Sequence, residues 1–190
     1  MEGPDTGAGA WFETRAVREV FRGRSTVRLE TVHTPDGDEV EREIVMHDDA
    51  VAIVAVTDDG QVLLLKQYRQ ALRRYLLEIP AGSLDIDGEL PEDAARRELA
   101  EEIHQGAREL HHLVTFHNSA GWTDEKTHVY LGRGLFPATP PDDFVAKAEE
   151  ADMEVVPMAV EDAVAAARDG EFTDAKTVVG LLLAARHLGV

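Results

Sequence analysis

Residues 82–104 read GSLDIDGELPEDAARRELAEEIH, and this stretch decides how the rest of the chain is interpreted. Proline is favoured in the first turn of a helix, and acidic residues there interact well with the helix dipole. The sequence therefore predicts a helix that begins at Pro91, preceded by a loop over residues 81–90. The apolar positions of this helix fall on one face, which we expect to be buried: Ala94, Ala95, Leu99 and Ile103.

The other face of the predicted helix concentrates acidic side chains. Glu98, Glu101 and Glu102 lie within five consecutive positions, so their carboxylates project from one side of the helix. Carboxylate oxygens at this density suit hard divalent cations such as Mg²⁺ or Mn²⁺. Arg97 lies four residues before Glu101 and can hold a carboxylate in place by a hydrogen bond. Taken alone, the three glutamates are equally compatible with an ordinary solvated helix face.

Strand-like segments surround this helix on both sides. Six segments before the helix are predicted to be strands, because their apolar residues alternate or form continuous runs: 13–24, 25–34, 39–47, 50–57, 61–68 and 75–80. Three follow it: 110–119, 127–135 and the end of AKAEEADMEVVPM, residues 146–158. Two closing helices are predicted in EDAVAAARDG and FTDAKTVVGLLLAARHLG. This order predicts an α/β sandwich.

Composition narrows the class of protein. The chain has 37 acidic and 19 basic residues, a net charge of −18, which repels nucleic acid and anionic membranes. It has no cysteine, so disulfides, thiol catalysis and cysteine-based zinc sites are excluded. No apolar run approaches the roughly 20 residues that span a bilayer, and the N-terminus lacks the pattern of a secretory signal. We therefore expect a cytoplasmic protein with neither nucleic-acid nor membrane partners.

The stretch 82–104 resembles the Nudix box, G-x5-E-x7-R-E-U-x-E-E-x-G-U, in which U is a bulky aliphatic residue. The residues that match it are Glu89, Arg97, Glu98, Leu99, Glu101 and Glu102. Gly82 lies one residue too far from Glu89, which indicates a one-residue insertion in the loop. His104 occupies the position of the later glycine, with Gly106 two residues on, so we expect the helix to end differently.

Other segments extend the resemblance over about residues 11 to 190, in the order expected for the ADP-ribose pyrophosphatase branch of the Nudix family. They are REIVMHDDAVAIVAV, LLLKQYRQA, EIPAG, NSAGWTDEK and EEADMEVVPM. The resemblance implies an α/β/α sandwich with a mixed sheet, preceded by N-terminal antiparallel strands. It also implies hydrolysis of a nucleoside diphosphate sugar, most simply ADP-ribose, to a nucleoside monophosphate and a sugar phosphate. The cofactor it implies is Mg²⁺, or Mn²⁺.

The resemblance also implies roles for the residues of the box. Glu98, Glu102 and the backbone carbonyl of Ala81 would bind the metal. Glu101 would assist them, and Arg97 would orient the carboxylates. Divalent ions at such a site neutralise the pyrophosphate and acidify the attacking water.

Further candidates lie outside the box. A general base must reach the attacking water. The resemblance implies a base on a loop after the box, and Glu125 in GWTDEK matches it. The alternative is that Glu125 and the adjacent Asp124 are polar residues of a turn. Arg69, after a buried strand, is a candidate for bidentate phosphate binding, and Arg42 is a weaker one. Trp122 would cover the substrate or anchor its loop.

The Gly-rich, polar composition of the N-terminus and the resemblance together divide the chain into three parts. Residues 1–10 are expected to be disordered, residues 11–47 to form strands that build a homodimer, and residues 48–190 to form the Nudix hydrolase domain. The aromatic residues of the second part are candidates for substrate stacking, core packing or a dimer contact: Trp11, Phe12 and Phe21. The alternative functions are hydrolysis of another nucleotide sugar, such as GDP-mannose, and a non-catalytic Nudix sensor of ADP-ribose.

Overall fold

A computed structural model describes residues 12–142, 144–146 and 151–190 of the chain. The segment 1–10 expected to be disordered and the aromatic candidate Trp11 lie outside these residues. The described chain forms two compact units. The smaller contains the residues up to Asp48 together with His117–Glu125, and the larger contains Asp49–Phe116 and Lys126–Val190.

The smaller unit is built on a three-stranded antiparallel sheet. Its strands, in the order β1-β2-β3, are β1 (Glu13–Arg22), β2 (Thr26–His33) and β3 (Glu39–Met46). The alternating segments predicted these three strands. Residues 35–38, PDGD, form the turn between β2 and β3, in which Gly37 has a φ of 94° that suits glycine. The loop that contains Trp122 attaches to β3, because the Val45 amide donates to the Trp122 carbonyl at 2.9 Å.

Within the described residues, the larger unit contains the remaining strands and the three helices. The strands are β4 (Ala50–Ala55), β5 (Gln61–Arg69), β6 (Arg74–Glu78), β7 (Ala81–Ser83), β8 (Gln105–His117, whose last residue belongs to the smaller unit), β9 (Lys126–Pro137) and β10 (Glu154–Ala159). The helices are α1 (Pro91–Ile103), α2 (Val160–Asp169) and α3 (Ala175–Leu188). One sheet has the order β7-β4-β9-β8 and the other the order β10-β5-β6. The first sheet is mixed, since β4 runs parallel to β9 and antiparallel to β7.

Alternate residues of β4 pack against helices on opposite sides of the sheet. Val51 and Ile53 belong to an apolar cluster with Leu99 of α1, whereas Val54 belongs to one with Leu181 of α3. Because successive side chains of a strand point to opposite faces, the buried strand β4 packs against α1 on one face and against α3 on the other. The predicted α/β/α arrangement is confirmed, as is the buried face of α1. None of the helices in the described part of the chain combines the length and the apolar composition that a membrane span requires.

Two predicted boundaries were wrong. Residues 81–90 were expected to be loop throughout, but Ala81–Ser83 form β7 and pair with residues 50–52 of β4. A three-residue strand carries no periodicity of its own, and its hydrogen bonds depend on a partner strand some thirty residues away in sequence. The strand after α1 begins at Gln105, separated from the helix by His104 alone, rather than near residue 110.

His104 forms the end of α1. His104 itself adopts the left-handed conformation, with φ of 54°, and its amide donates to the Leu99 carbonyl. That is the capping geometry usually provided by glycine. His104 thus adopts the left-handed conformation despite its side chain, and α1 stops at Ile103.

Candidate active site

Arg97 organises the acidic face of α1. Its guanidinium binds Glu89 through two hydrogen bonds, at 3.0 and 2.9 Å. The same group donates to Glu98 at 2.5 Å, to Glu101 at 3.1 Å and to the Ser83 carbonyl at 3.2 Å. These contacts, the Glu89 hydrogen bond foremost, raise the pKa of Arg97 above its ordinary value, so it stays charged. One cation thus joins the loop before α1 to two carboxylates of the helix.

Glu98 lies against the backbone of β7. It is only 7% exposed, and a Cβ atom on Gly82 would lie 1.9 Å from its carboxyl carbon. Glycine is therefore required at position 82, because any larger residue there would collide with the Glu98 carboxylate. Burial raises the pKa of Glu98 to about 7, although Arg97 opposes the shift.

Glu102 turns towards the start of β7. Its carboxylate accepts a hydrogen bond from the Ala81 amide at 2.9 Å. Burial and the nearby Glu98 carboxylate raise the pKa of Glu102 to about 8, and Arg69 is among the groups that oppose the rise. A hydrogen bond to the backbone fixes the side chain without neutralising it.

The donor set fits a divalent cation. Two crowded carboxylates with raised pKa values gain from a positive ion between them, and Glu102 is hydrogen-bonded to the amide of Ala81, whose carbonyl is the expected third ligand. All the donors are oxygens, as Mg²⁺ and Mn²⁺ prefer. Across the described residues, no three histidine or acidic side chains are grouped so as to hold a metal by themselves. A metal bound by Glu98 and Glu102 would therefore take its remaining oxygens from backbone carbonyls or water.

The raised pKa values predict how metal-free stability depends on pH. The folded protein holds protons on Glu98 and Glu102 up to about pH 7 and 8, whereas the ordinary value is 4.5. From pH 4.5 up to these raised values, the folded state binds more protons than the unfolded state. The free energy of unfolding therefore falls as the pH rises through this range. The free energy of unfolding, measured with urea in the presence of EDTA, should decline in this way with pH. The decline should be shallower in Glu102→Gln. An equal decline in that variant would contradict the assignment.

A second ionic cluster lies next to this site, and only Arg69 of its members was predicted from sequence. Glu78 is 1% exposed and accepts two hydrogen bonds from Arg69, at 2.7 and 2.6 Å, and one from Lys176 at 2.5 Å. Burial opposes ionisation of Glu78, but the two cations outweigh it and lower the pKa. Arg69, predicted to bind phosphate, is thus anchored by a carboxylate. An acidic residue inside the apolar segment YLLEIP was the available signal.

Glu125, the predicted base, lies in the smaller unit, in the loop between β8 and β9. Its amide donates to the Thr123 hydroxyl at 3.2 Å, and its carbonyl accepts from Asn118 at 3.1 Å. The Glu125 carboxylate is 3.7 Å from the His47 ring, and the neighbouring Asp124 carboxylate accepts from the His47 amide at 3.2 Å. The loop is therefore tied to the end of β3, and the Glu125 carboxylate is partly open to solvent.

The remaining two substrate candidates are also on the smaller unit. Arg42 lies on β3, is exposed, and donates to the carbonyl of its neighbour Glu41 at 3.0 Å. Trp122 is 55% exposed, while its backbone amide donates to Ser119 at 2.8 Å. Its indole ring thus remains accessible although its backbone is held.

Comparison with known proteins identifies the family of this chain. Residues 46–178 match the NUDIX domain family. The ADP-ribose pyrophosphatase of Bacillus subtilis is 38% identical over 89% of this chain and 90% of its own length. The ADP-ribose pyrophosphatase of Mycobacterium tuberculosis is 37% identical over 90% of this chain and 82% of its own. A crystal structure of an ADP compounds hydrolase shares the fold, with a TM-score of 0.80, 24% identity and 94% coverage of both chains. The chain belongs to the NUDIX family and is a Nudix hydrolase.

Proposed function

We propose that this chain hydrolyses the pyrophosphate bond of ADP-ribose, in a reaction that requires Mg²⁺ or Mn²⁺, to give AMP and ribose 5-phosphate. The observation that carries this proposal is the cluster in which Arg97 joins Glu89, Glu98 and Glu101 while the Ala81 amide holds Glu102. A concentrated set of oxygen ligands beside a backbone carbonyl suits a pyrophosphate bridged by divalent ions. Two relatives named ADP-ribose pyrophosphatase, similar over most of the chain, support this choice of substrate.

The metal would be held by Glu98, Glu102 and the carbonyl of Ala81. When bound, it neutralises pyrophosphate charge and acidifies the attacking water. Arg97 keeps the glutamates in position, because its five donors are shared among several carboxylates. Glu101 assists as a further acceptor beside the ligands.

The other roles are assigned to residues outside α1. Glu125 takes the proton from water as the new phosphorus–oxygen bond forms, and the bond to the bridging oxygen breaks to release the second phosphate ester. The support for Glu125 is an accessible carboxylate on a loop fixed at both ends by hydrogen bonds. Arg69 binds phosphate, Arg42 assists, and Trp122 covers the nucleotide.

Product analysis tests this function. Purified protein with Mg²⁺ would be given ADP-ribose, other nucleoside diphosphate sugars including GDP-mannose, and dinucleotides. AMP and ribose 5-phosphate as dominant products are the expected result. Preferred cleavage of another substrate would keep the hydrolase and change its specificity. Tight ADP-ribose binding without turnover of any compound would favour a sensor instead.

We also propose that residues 11–47 form a homodimer contact and that residues 48–190 carry the hydrolase domain. The support is that β1 lies at the edge of its sheet and exposes apolar side chains: Val17 at 55%, Val20 at 44% and Phe21 at 59%. Exposed apolar edge strands invite pairing with another chain. The cytoplasmic location stays a prediction from composition.

The double variant Val17→Glu with Phe21→Glu tests the dimer. Both side chains are exposed in the single chain, so the fold of the monomer should survive the added charges. Light scattering is expected to give a dimer for the parent chain and a monomer for the variant. A parent chain that is monomeric, or a variant that remains dimeric, would contradict the assignment of this surface.

A further inference from the structure

A short segment of backbone links α3 to the acidic site on α1. The segment runs from Glu78 to Ala81, and its amide groups meet different elements at each end. The Ile79 amide donates to the hydroxyl of Thr177 in the first turn of α3, at 3.0 Å. The Ala81 amide donates to Glu102 at 2.9 Å. Between them, the Pro80 carbonyl accepts from the Ile53 amide at 2.8 Å.

The Thr177 hydroxyl is held in one orientation. Its proton is donated to the Asp174 carboxylate at 2.6 Å, and the same carboxylate caps α3 by accepting from the Thr177 amide at 2.9 Å. A hydroxyl that has given its proton to one partner presents its lone pairs to another, here the Ile79 amide. Thr177 is fully buried and Ile79 is 1% exposed, so bulk water has little access to replace this contact.

The segment is also stiff. Pro80 fixes one backbone angle between the two amides, and the carboxylate of Glu78 is clamped by Arg69 and Lys176. A displacement at Ile79 therefore has one backbone rotation fewer through which to relax before it reaches Ala81. Ala81 is where the segment meets the site, since its amide orients Glu102 and its carbonyl is the proposed third ligand.

We propose that Thr177 is a positioning residue for the metal site, acting through the backbone of Glu78–Ala81 on Glu102 and on the Ala81 carbonyl. This inference rests on the proposed function, because it takes Glu98, Glu102 and Ala81 as the ligands. Groups that orient metal ligands typically affect metal affinity or activity by 10- to 100-fold when they are removed. Thr177 lies on a different element from every ligand and acts through hydrogen bonds alone.

Thr177→Val tests this inference, since valine has nearly the same shape but no hydroxyl. Thr57→Val is a matched control: the Thr57 hydroxyl also accepts from a backbone amide, that of Gln61, at 3.0 Å and donates to an aspartate, Asp59. Thr57 lies in the turn between β4 and β5 and holds none of the proposed ligands. Thr177→Ser restores the hydroxyl and serves as the rescue variant.

The first readout is Mn²⁺ affinity, measured by titration of the full chain without substrate. We expect Thr177→Val to bind Mn²⁺ about 10-fold or more weakly, and the serine and Thr57 variants to bind it as the parent does. Thermal unfolding of both valine variants shows how much stability each loses. With substrate, Thr177→Val should lower kcat more than it raises KM, because the ligands rather than the nucleotide contacts are displaced.

Equal Mn²⁺ affinity in the two valine variants would overturn the inference and leave the proposed function intact. A parent protein that binds no Mn²⁺ would overturn both. A parent that binds Mn²⁺ but cleaves none of the nucleotides would overturn the proposed reaction only, since Mn²⁺ affinity would still be compared. If Thr177→Val does not fold, Asp174→Asn replaces it, because the amide retains a capping oxygen but orients the hydroxyl less strongly. Parent-like Mn²⁺ affinity in Asp174→Asn would then overturn the inference.

Discussion

Glu102→Gln is expected to lower metal-dependent turnover by about 100-fold or more while the protein remains folded. The amide has the shape of the carboxylate and can still accept from the Ala81 amide, but it brings no negative charge to the metal. Loss of a metal ligand should cost at least as much as loss of a group that orients one, for which the upper range is about 100-fold. Steady-state kinetics at saturating Mg²⁺ measures the effect.

The control for this variant lies on the same helix. Glu92→Gln removes a carboxylate from the first turn of α1, where it is exposed and paired with Arg96. It should keep parent-like turnover. Near-normal activity in Glu102→Gln, or equal losses in the two variants, would remove Glu102 from the metal site. Metal-free Glu102→Gln should also be no less stable than the parent near pH 7, because burial already disfavours the charged carboxylate.

Glu125→Gln should lower kcat by about 10²- to 10⁴-fold with little change in KM, the range typical of a lost general base. Glutamine can keep the backbone contacts of the loop, since these use the amide and carbonyl of residue 125 and not its side chain. Substrate binding by the inactive variant, measured by calorimetry with ADP-ribose and Mg²⁺, should remain close to that of the parent.

Asp124→Asn is the matched control for this prediction. Asp124 is the adjacent acid, and its oxygen accepts from the His47 amide, a contact that asparagine can retain. It is expected to keep most of the activity. An unchanged kcat in Glu125→Gln would place the base elsewhere, and a large loss in Asp124→Asn alone would move the role to its neighbour.

The parts of the fold that depend on local signals could be predicted from sequence. The proline start of α1, its acidic first turn and its apolar face lie within one short stretch, and the structure contains them as expected. The buried runs of β4 and β5 were equally visible. The contact between Arg97 and Glu101, four residues apart on a helix, follows from the same periodicity.

The parts of the fold that depend on partners distant in sequence could not be predicted. The ion pair of Glu78 with Lys176 and the bond of Ile79 to Thr177 each join residues 98 positions apart, and no local pattern reports such a meeting. The strand β7 is defined by β4 rather than by its own three residues. The anchoring of Arg69 by Glu78 is likewise a tertiary contact, so sequence alone suggested only a free cation for phosphate.

The left-handed residue at the end of α1 has a consequence for engineering. A side chain in that conformation costs about 1–2 kcal/mol, which glycine at position 104 would avoid. His104 is exposed and forms none of the bonds described around Arg97 or Glu102. Better helix caps commonly add about 0.5–2 kcal/mol to the stability of a natural protein. We therefore expect His104→Gly to stabilise the protein and to keep destabilised site variants folded. In that background, loss of activity can be measured separately from loss of structure.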